Sequence, residues 1–319
     1  PIKSSAASDV YKRQSVLSLI NLVDSGLCMG RLQDAAGFSY QEATVLYGVY
    51  GKAQTLYNLP AAFITPLTIS VVPAIAACRV THRGRESSRI AENSLRIATV
   101  ICLPMGVGLS VLAEPIMTII YPGSHESGPE LLLLMGAASF FVCMALMMNA
   151  ILQAGGNEKY PIYSMIIGGV VKIAVNWFLV ADPGINILGA PIGTLSCYAV
   201  MCVMDYIFLC RVMPDRPRLG SILARPVLSC AAMGLTAWAV YGLAMRFLGG
   251  GDAGRLMMAL CMCLAIGAAV IVYLVLTVLT RAVTYEDMKL IPRGEKLARL
   301  LRIRPVSYTH LRAHETAAN

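Results

Sequence analysis

From residue 53 to residue 78 no side chain carries a formal charge, and after Arg79 and Val80 comes the basic segment THRGRESSR. An uncharged apolar stretch of this length matches what a helix needs to cross a bilayer's ~30 Å hydrocarbon core. Pro60, Pro66 and Pro73 interrupt it. Each proline removes one N–H and crowds the carbonyl four residues back, which breaks a helix in water. In lipid such a segment persists only where the freed carbonyls face other helices or a water-filled hollow. The pattern predicts a bent transmembrane helix that lines something and is closed at one end by a polybasic loop. That combination points to a transporter rather than an anchor.

Further apolar runs cover residues 16–30, 94–120, 131–153, 162–180, 187–209, 222–247 and 256–280. Polar or Gly/Pro-rich connections separate them, among them YPGSHESGPE, AGGNEKYP, ADPGIN, RVMPDRPRLG and GGGDAG. The expected fold class is all-α, a polytopic membrane bundle of about eight transmembrane helices. The first run is shorter than the ~20 residues of a full crossing, which predicts a truncated helix and a chain that is the C-terminal part of a longer protein. After the last run, RAVTYEDMKLIPRGEKLARLLR spaces Leu290, Leu297, Leu300 and Leu301 among basic residues, a segment suited to the membrane surface. Residues 4–14 and 305–316 resemble translated sequencing-library adapter. Segments 1–14 and 304–319 are therefore set aside as artefactual.

Composition agrees with the pattern. Of the 319 residues 57% are hydrophobic and 14% charged, and the mean hydropathy is +0.65; a soluble domain of that balance would have a largely apolar surface. The net charge of +8 would point to nucleic acid in a soluble protein, but here the basic residues sit in alternate loops. Arg79, Arg83, Arg85 and Arg89 follow the second run, Lys159 the fourth, and Arg211, Arg216 and Arg218 the sixth; the tail holds Arg281, Lys289, Arg293, Lys296 and Arg299. The loops after the third and fifth runs have no Lys or Arg, and that after the seventh only the flanking Arg246 and Arg255. By the positive-inside rule the start of the first helix and the C-terminus both lie in the cytoplasm. Eight of the ten cysteines fall inside apolar runs without a CxxC motif, which reads as buried thiols rather than disulfides or metal ligands. His310 and His314 have helical i,i+4 ligand spacing but lack the HExxH order of zinc hydrolases, and no metal site is expected. There is no P-loop and no GxSxG, and the loops are too short to build an active site. No catalytic residue is assigned.

Several motifs in order carry a resemblance: YGVYGKAQTLYNLPAAF with VVPAIAA, LPMGVGLSVLAEPIMTIIYPG, ILQAGGNEKYPI, GGVVKIAVNWFLV, GAPIGT and LIPRGEKLA. Together they resemble the polysaccharide-transporter branch of the multidrug/oligosaccharidyl-lipid/polysaccharide exporter superfamily, and within it flippases for lipid-linked peptidoglycan precursors of the stage V sporulation protein B type. The resemblance covers roughly residues 16–302. It implies fourteen helices in two six-helix lobes plus a terminal pair, with this chain holding the second lobe (residues 15–212) and the extra pair with its tail (213–303). It further implies alternating access, a lipid-linked glycan as substrate, a missing N-terminal lobe as partner, residence in a bacterial plasma membrane, and no nucleic acid. Rival expectations are a cation-coupled multidrug exporter of the same superfamily, a membrane enzyme that polymerises or ligates polysaccharide, and a non-transporting scaffold.

Asp24 lies in the first run, VLSLINLVDSGLCMG, where an ionisable group costs a few kcal/mol and should face the interior. It either serves function or simply pairs with a neighbouring helix. The resemblance implies coupling-ion ligands at Asp24, Asn176 and Thr194, with Val180 standing where some relatives have an acid; Na+ and H+ both stay open. Lys172, four residues before Asn176 and on the same helical face, either meets a diphosphate, pairs with Asp24 or snorkels to the membrane surface. Lys52 reads as a headgroup contact or an interfacial lysine. Asn149 and Gln153, one turn apart, read as sugar-binding groups or interhelical glue. Glu114, before Pro115, is expected to cap or orient a short segment, and Asp205 to pair with Arg211.

Overall fold

The computed structural model describes residues 22–248 and 254–280; the suspect termini and the amphipathic tail lie outside them. The described residues form helices and connecting turns only. They comprise α1 (residues 22–34), α2 (Tyr40–Tyr57), α3 (Leu59–Val80), α4 (Gly84–Val111), α5 (Ala113–Ile120), α6 (Gly128–Ala154), α7 (Lys159–Leu179), a 3₁₀ turn (Asn186–Leu188), α8 (Gly189–Val212), α9 (Leu219–Leu248) and α10 (Arg255–Leu279). Seven stretches among them are long and apolar enough to cross a membrane, with α2 and α3 counted as one of 41 residues. Seven of the eight expected spans recur, two of them starting ten or more residues earlier than expected, at Tyr40 and Gly84, and two divided. The first expected run, 16–30, is described only from residue 22, as α1.

The first division is in the proline-bearing span. The helix begins at Tyr40, where the Ser39 hydroxyl and the Glu42 carboxylate form a reciprocal capping box. It breaks at Asn58, and Pro60 then occupies the first turn of α3, where a missing N–H costs nothing. The backbone stays helical through Pro66 and Pro73. Hydroxyls back-bond onto nearby carbonyls: Thr65 Oγ1 onto Ala61 and Ser70 Oγ onto Leu67. The second division is at Leu112, which separates α4 from the eight-residue α5.

Helix α6 is the hub. It packs against α2, α3, α4, α5, α7 and α8, and its buried residues run round the whole helix. Helices α7 and α8 reverse the soluble pattern. Around α7 the buried stripe is Ser164, Gly168, Lys172 and Asn176, whereas Ile166, Val170, Trp177 and Phe178 are exposed. A helix with polar and small groups inward and large apolar ones outward is built for lipid on its far side. Gly168 permits the close approach: a Cβ there would come within 2.6 Å of Met201 and 3.1 Å of the Cys197 carbonyl on α8.

The α9–α10 pair docks on α4 and α5 through Leu112, Cys230, Met233, Ala237, Ala269 and Tyr273. Pro104 lies inside α4, so the carbonyl of Val100, four residues back, has no helical N–H to receive. The Tyr273 hydroxyl of α10 donates to that carbonyl at 2.7 Å. The carbonyl left open in one helix is thus satisfied by another.

The basic loops share one end of the bundle. Arg79 in the last turn of α3 places its guanidinium against the Gly156 turn after α6, and Gly84 at the start of α4 abuts Pro214 after α8. The Asp215 N–H also donates to Ser88 at 3.3 Å. Lys52 lies elsewhere, over the ring of Tyr121 in the loop without Lys or Arg.

Candidate functional site

Along α1 the buried residues are Asp24, Cys28 and Leu32, one per turn, so a single face meets the bundle. Opposite it, Lys172 and Asn176 on α7 are four residues apart and share the inward stripe. The Lys172 Nζ lies 2.7 Å from Asp24 Oδ2, with both side chains 7% exposed. Asn176 Nδ2 donates to Asp24 Oδ1 at 2.5 Å. Both carboxylate oxygens therefore receive N–H donors from one helix. The contact is anchored two turns further along α1, where Arg31 Nε donates to the Trp177 carbonyl at 3.2 Å and its guanidinium lies 4.2 Å from the centre of the Trp177 ring.

Helix α8 closes the site from behind. Gly193 lies directly against Asn176 Oδ1, and any Cβ there would overlap that oxygen. Next to it Thr194, also buried, shares a hydrogen bond with the Tyr50 hydroxyl of α2 at 3.3 Å and donates to the Ala190 carbonyl at 3.1 Å. Asn176 Oδ1 has no hydrogen-bond partner among the described residues although the side chain is fully buried. Asp24 of α1 is thus held by α7, which α8 backs at Asn176 and α2 in turn reaches through Thr194.

Asp24, Lys172, Asn176 and Thr194 are gathered in this cluster. The donor set does not fit a hard cation, which takes several oxygen ligands: Asp24 is engaged on both oxygens, Asn176 turns its amide nitrogen inward, and an ammonium is already present. Among the described residues no group of three or more His, Cys, Asp or Glu side chains gathers for a metal ion. Asn149 is buried on α6, with no hydrogen-bond partner for its Oδ1 among the described residues; Gln153, one turn on, is half-buried. Lys52 is half-buried over Tyr121 at 5.6 Å, within cation–π range. Glu114 is exposed in the first turn of α5, where a carboxylate favours the positive end of the helix. Asp205 is fully buried and receives the Ser164 hydroxyl at 2.5 Å, whereas Arg211 is exposed.

Tyr50 and the Arg31–Trp177 clasp escaped the sequence reading. Tyr50 left a faint signal, a hydroxyl three residues ahead of the uncharged span. Arg31 left a clearer one, a cation closing a helix in the turn after Asp24 and Cys28.

Residues 40–262 match the family model described as lipid II flippase MurJ. The chain is 24% identical over 290 residues to the uncharacterised membrane protein YabM of Bacillus subtilis (strain 168), covering 91% of this chain and 53% of YabM. It is 27% identical over 195 residues to stage V sporulation protein B of the same organism, covering 56% of this chain and 34% of that protein. A multidrug resistance MATE family transporter of the MOP superfamily, solved in an outward-facing conformation, superposes with a TM-score of 0.45 at 19% identity, over 90% of this chain and 66% of that one. The chain spans about half or less of the length of these curated relatives.

Proposed function

The chain belongs to the lipid II flippase MurJ family, and on that premise we propose that it is the C-terminal part of an alternating-access flippase or exporter for a lipid-linked glycan precursor. Residues 15–212 form its second lobe in this reading and residues 213–303 the extra helix pair with its tail. The protein is multi-pass; we place it in a bacterial plasma membrane with the end that gathers the basic loops, and the C-terminus, in the cytoplasm.

One observation carries the transport reading. A carboxylate and an ammonium are paired inside helices whose outer faces are apolar. Intramembrane ionisable pairs are costly, and they mark moving passages more than inert cores. An apolar groove supports a lipid-bearing substrate. It encloses about 370 Å³ between α4 and the α9–α10 pair, and Pro104, Met105, Leu109, Met233, Ile266 and Val270 are among its walls. A polyprenyl tail suits such a wall, as the phosphate and sugars suit a polar interior.

The test uses the complete protein in proteoliposomes with a fluorescent lipid-linked precursor. Asp24→Asn abolishes flipping, normalised to the amount of inserted protein, while membrane insertion is spared. Flipping at the unchanged rate removes Asp24 from the transport cycle.

A further inference from the structure

A carboxylate held in a membrane interior has three ways to be neutralised: a proton, a dissolved cation, or a cationic side chain. The first two exchange with solution and make the site respond to it. The third does not.

We infer that Lys172 is a tethered cation that takes the place of an exchangeable one, so that the Asp24 site works without binding sodium. This deepens the transport reading and rests on it for its meaning, since it concerns what drives the same site. Its geometry stands by itself. The ammonium is 2.7 Å from one carboxylate oxygen, and the other oxygen receives the Asn176 amide at 2.5 Å. A sodium ion entering here would have to share Asp24 with a second positive charge in a buried site, where such repulsion is screened far less than in water. It would also meet N–H groups in place of oxygen ligands. Val180, the residue one turn beyond Asn176, is fully buried and offers no oxygen from its side chain.

The oxygens for an ion are nevertheless close at hand. Asn176 Oδ1 is turned away against Gly193 and has no hydrogen-bond partner among the described residues. The Thr194 hydroxyl lies next along α8 and already reaches Tyr50. Remove the ammonium, and a half-turn of the Asn176 amide presents Oδ1 where Nδ2 now lies, beside a carboxylate without a counter-charge. Lys172 is therefore what keeps a latent sodium site closed.

The complete protein, purified in detergent, is unfolded thermally at constant ionic strength while sodium replaces choline between ~1 and ~100 mM. Wild type keeps one midpoint throughout. Lys172→Met gains a sodium-dependent rise of ~2–4 °C. Lys172→Arg, which keeps the charge, stays flat, and so does Asp24→Asn combined with Lys172→Met. A wild-type midpoint that climbs with sodium overturns the inference, as does a Lys172→Met protein that ignores sodium. Should Lys172→Met fail to purify, the wild-type titration still decides. Loss of the transport reading is seen separately, as absence of precursor flipping, and leaves the ion titration intact.

Discussion

At the scale of single residues, the site depends on glycine as much as on charge. Gly193 leaves room for the Asn176 side chain, and Gly193→Ala places a methyl group on Asn176 Oδ1. The amide must then leave Asp24. The expected cost is about 1–3 kcal/mol, the penalty of a buried polar group losing its partner, read as a lower unfolding midpoint together with loss of flipping. Truncating Lys172 to Ala is more severe, because it strands a buried carboxylate; breaking such a pair costs about 3–5 kcal/mol. Asp24→Asn with Lys172→Ala recovers part of that loss in a double-mutant cycle, and strict additivity would show that the two side chains do not interact in the folded protein. Asp24 and Lys172 were visible in the sequence because a charge inside an apolar run is conspicuous. Their partnership was one of several readings: hydropathy locates a charge along a helix but says nothing of which neighbour the helix faces. Tyr50 was hidden for the same reason, since a tyrosine in a membrane helix is ordinary until its hydroxyl is seen to reach Thr194.

Between elements, the decisive joint is Tyr273 on the carbonyl left open by Pro104. Tyr273→Phe strands that carbonyl and lowers stability by about 1–3 kcal/mol, with faster hydrogen exchange in α4 around Val100. In a Pro104→Ala background the helical N–H is restored, and Tyr273→Phe becomes nearly neutral. An equal effect in both backgrounds would show that the hydroxyl matters for some other reason. The sequence placed Pro104 inside a span and foresaw that freed carbonyls need partners, yet the partner lies 173 residues away and no local pattern could name it. The breaks at Asn58 and Leu112 were likewise illegible. Proline was the visible breaker, but Pro66 and Pro73 are absorbed within α3 and Pro60 serves as a helix start. What ends α2 is the step at Asn58, and that has no strong signature in composition.

Across the whole molecule, membrane sidedness is the property that charge most nearly dictated. The connections after α3, α6 and α8, the ones rich in Arg and Lys, meet at one end of the bundle. In intact cells a membrane-impermeant thiol reagent should label Ser124→Cys, in the loop after α5, and leave Arg85→Cys unlabelled until the membrane is opened. The native thiols interfere little, because eight of the ten cysteines are buried. Labelling of both positions from outside would invalidate the assigned topology.

The Asp24 pair also imposes an order on biogenesis. Asn176 follows Asp24 by 152 positions. At ribosomal speeds of about 5–20 residues per second, that is roughly 8–30 s of synthesis. For that interval the helix bearing Asp24 must leave the translocon, or wait beside it, with its acid unanswered. Its final seating in the bilayer is therefore postponed until the hairpin that brings Lys172 has been made, and the first helix of this chain to emerge is among the last to settle.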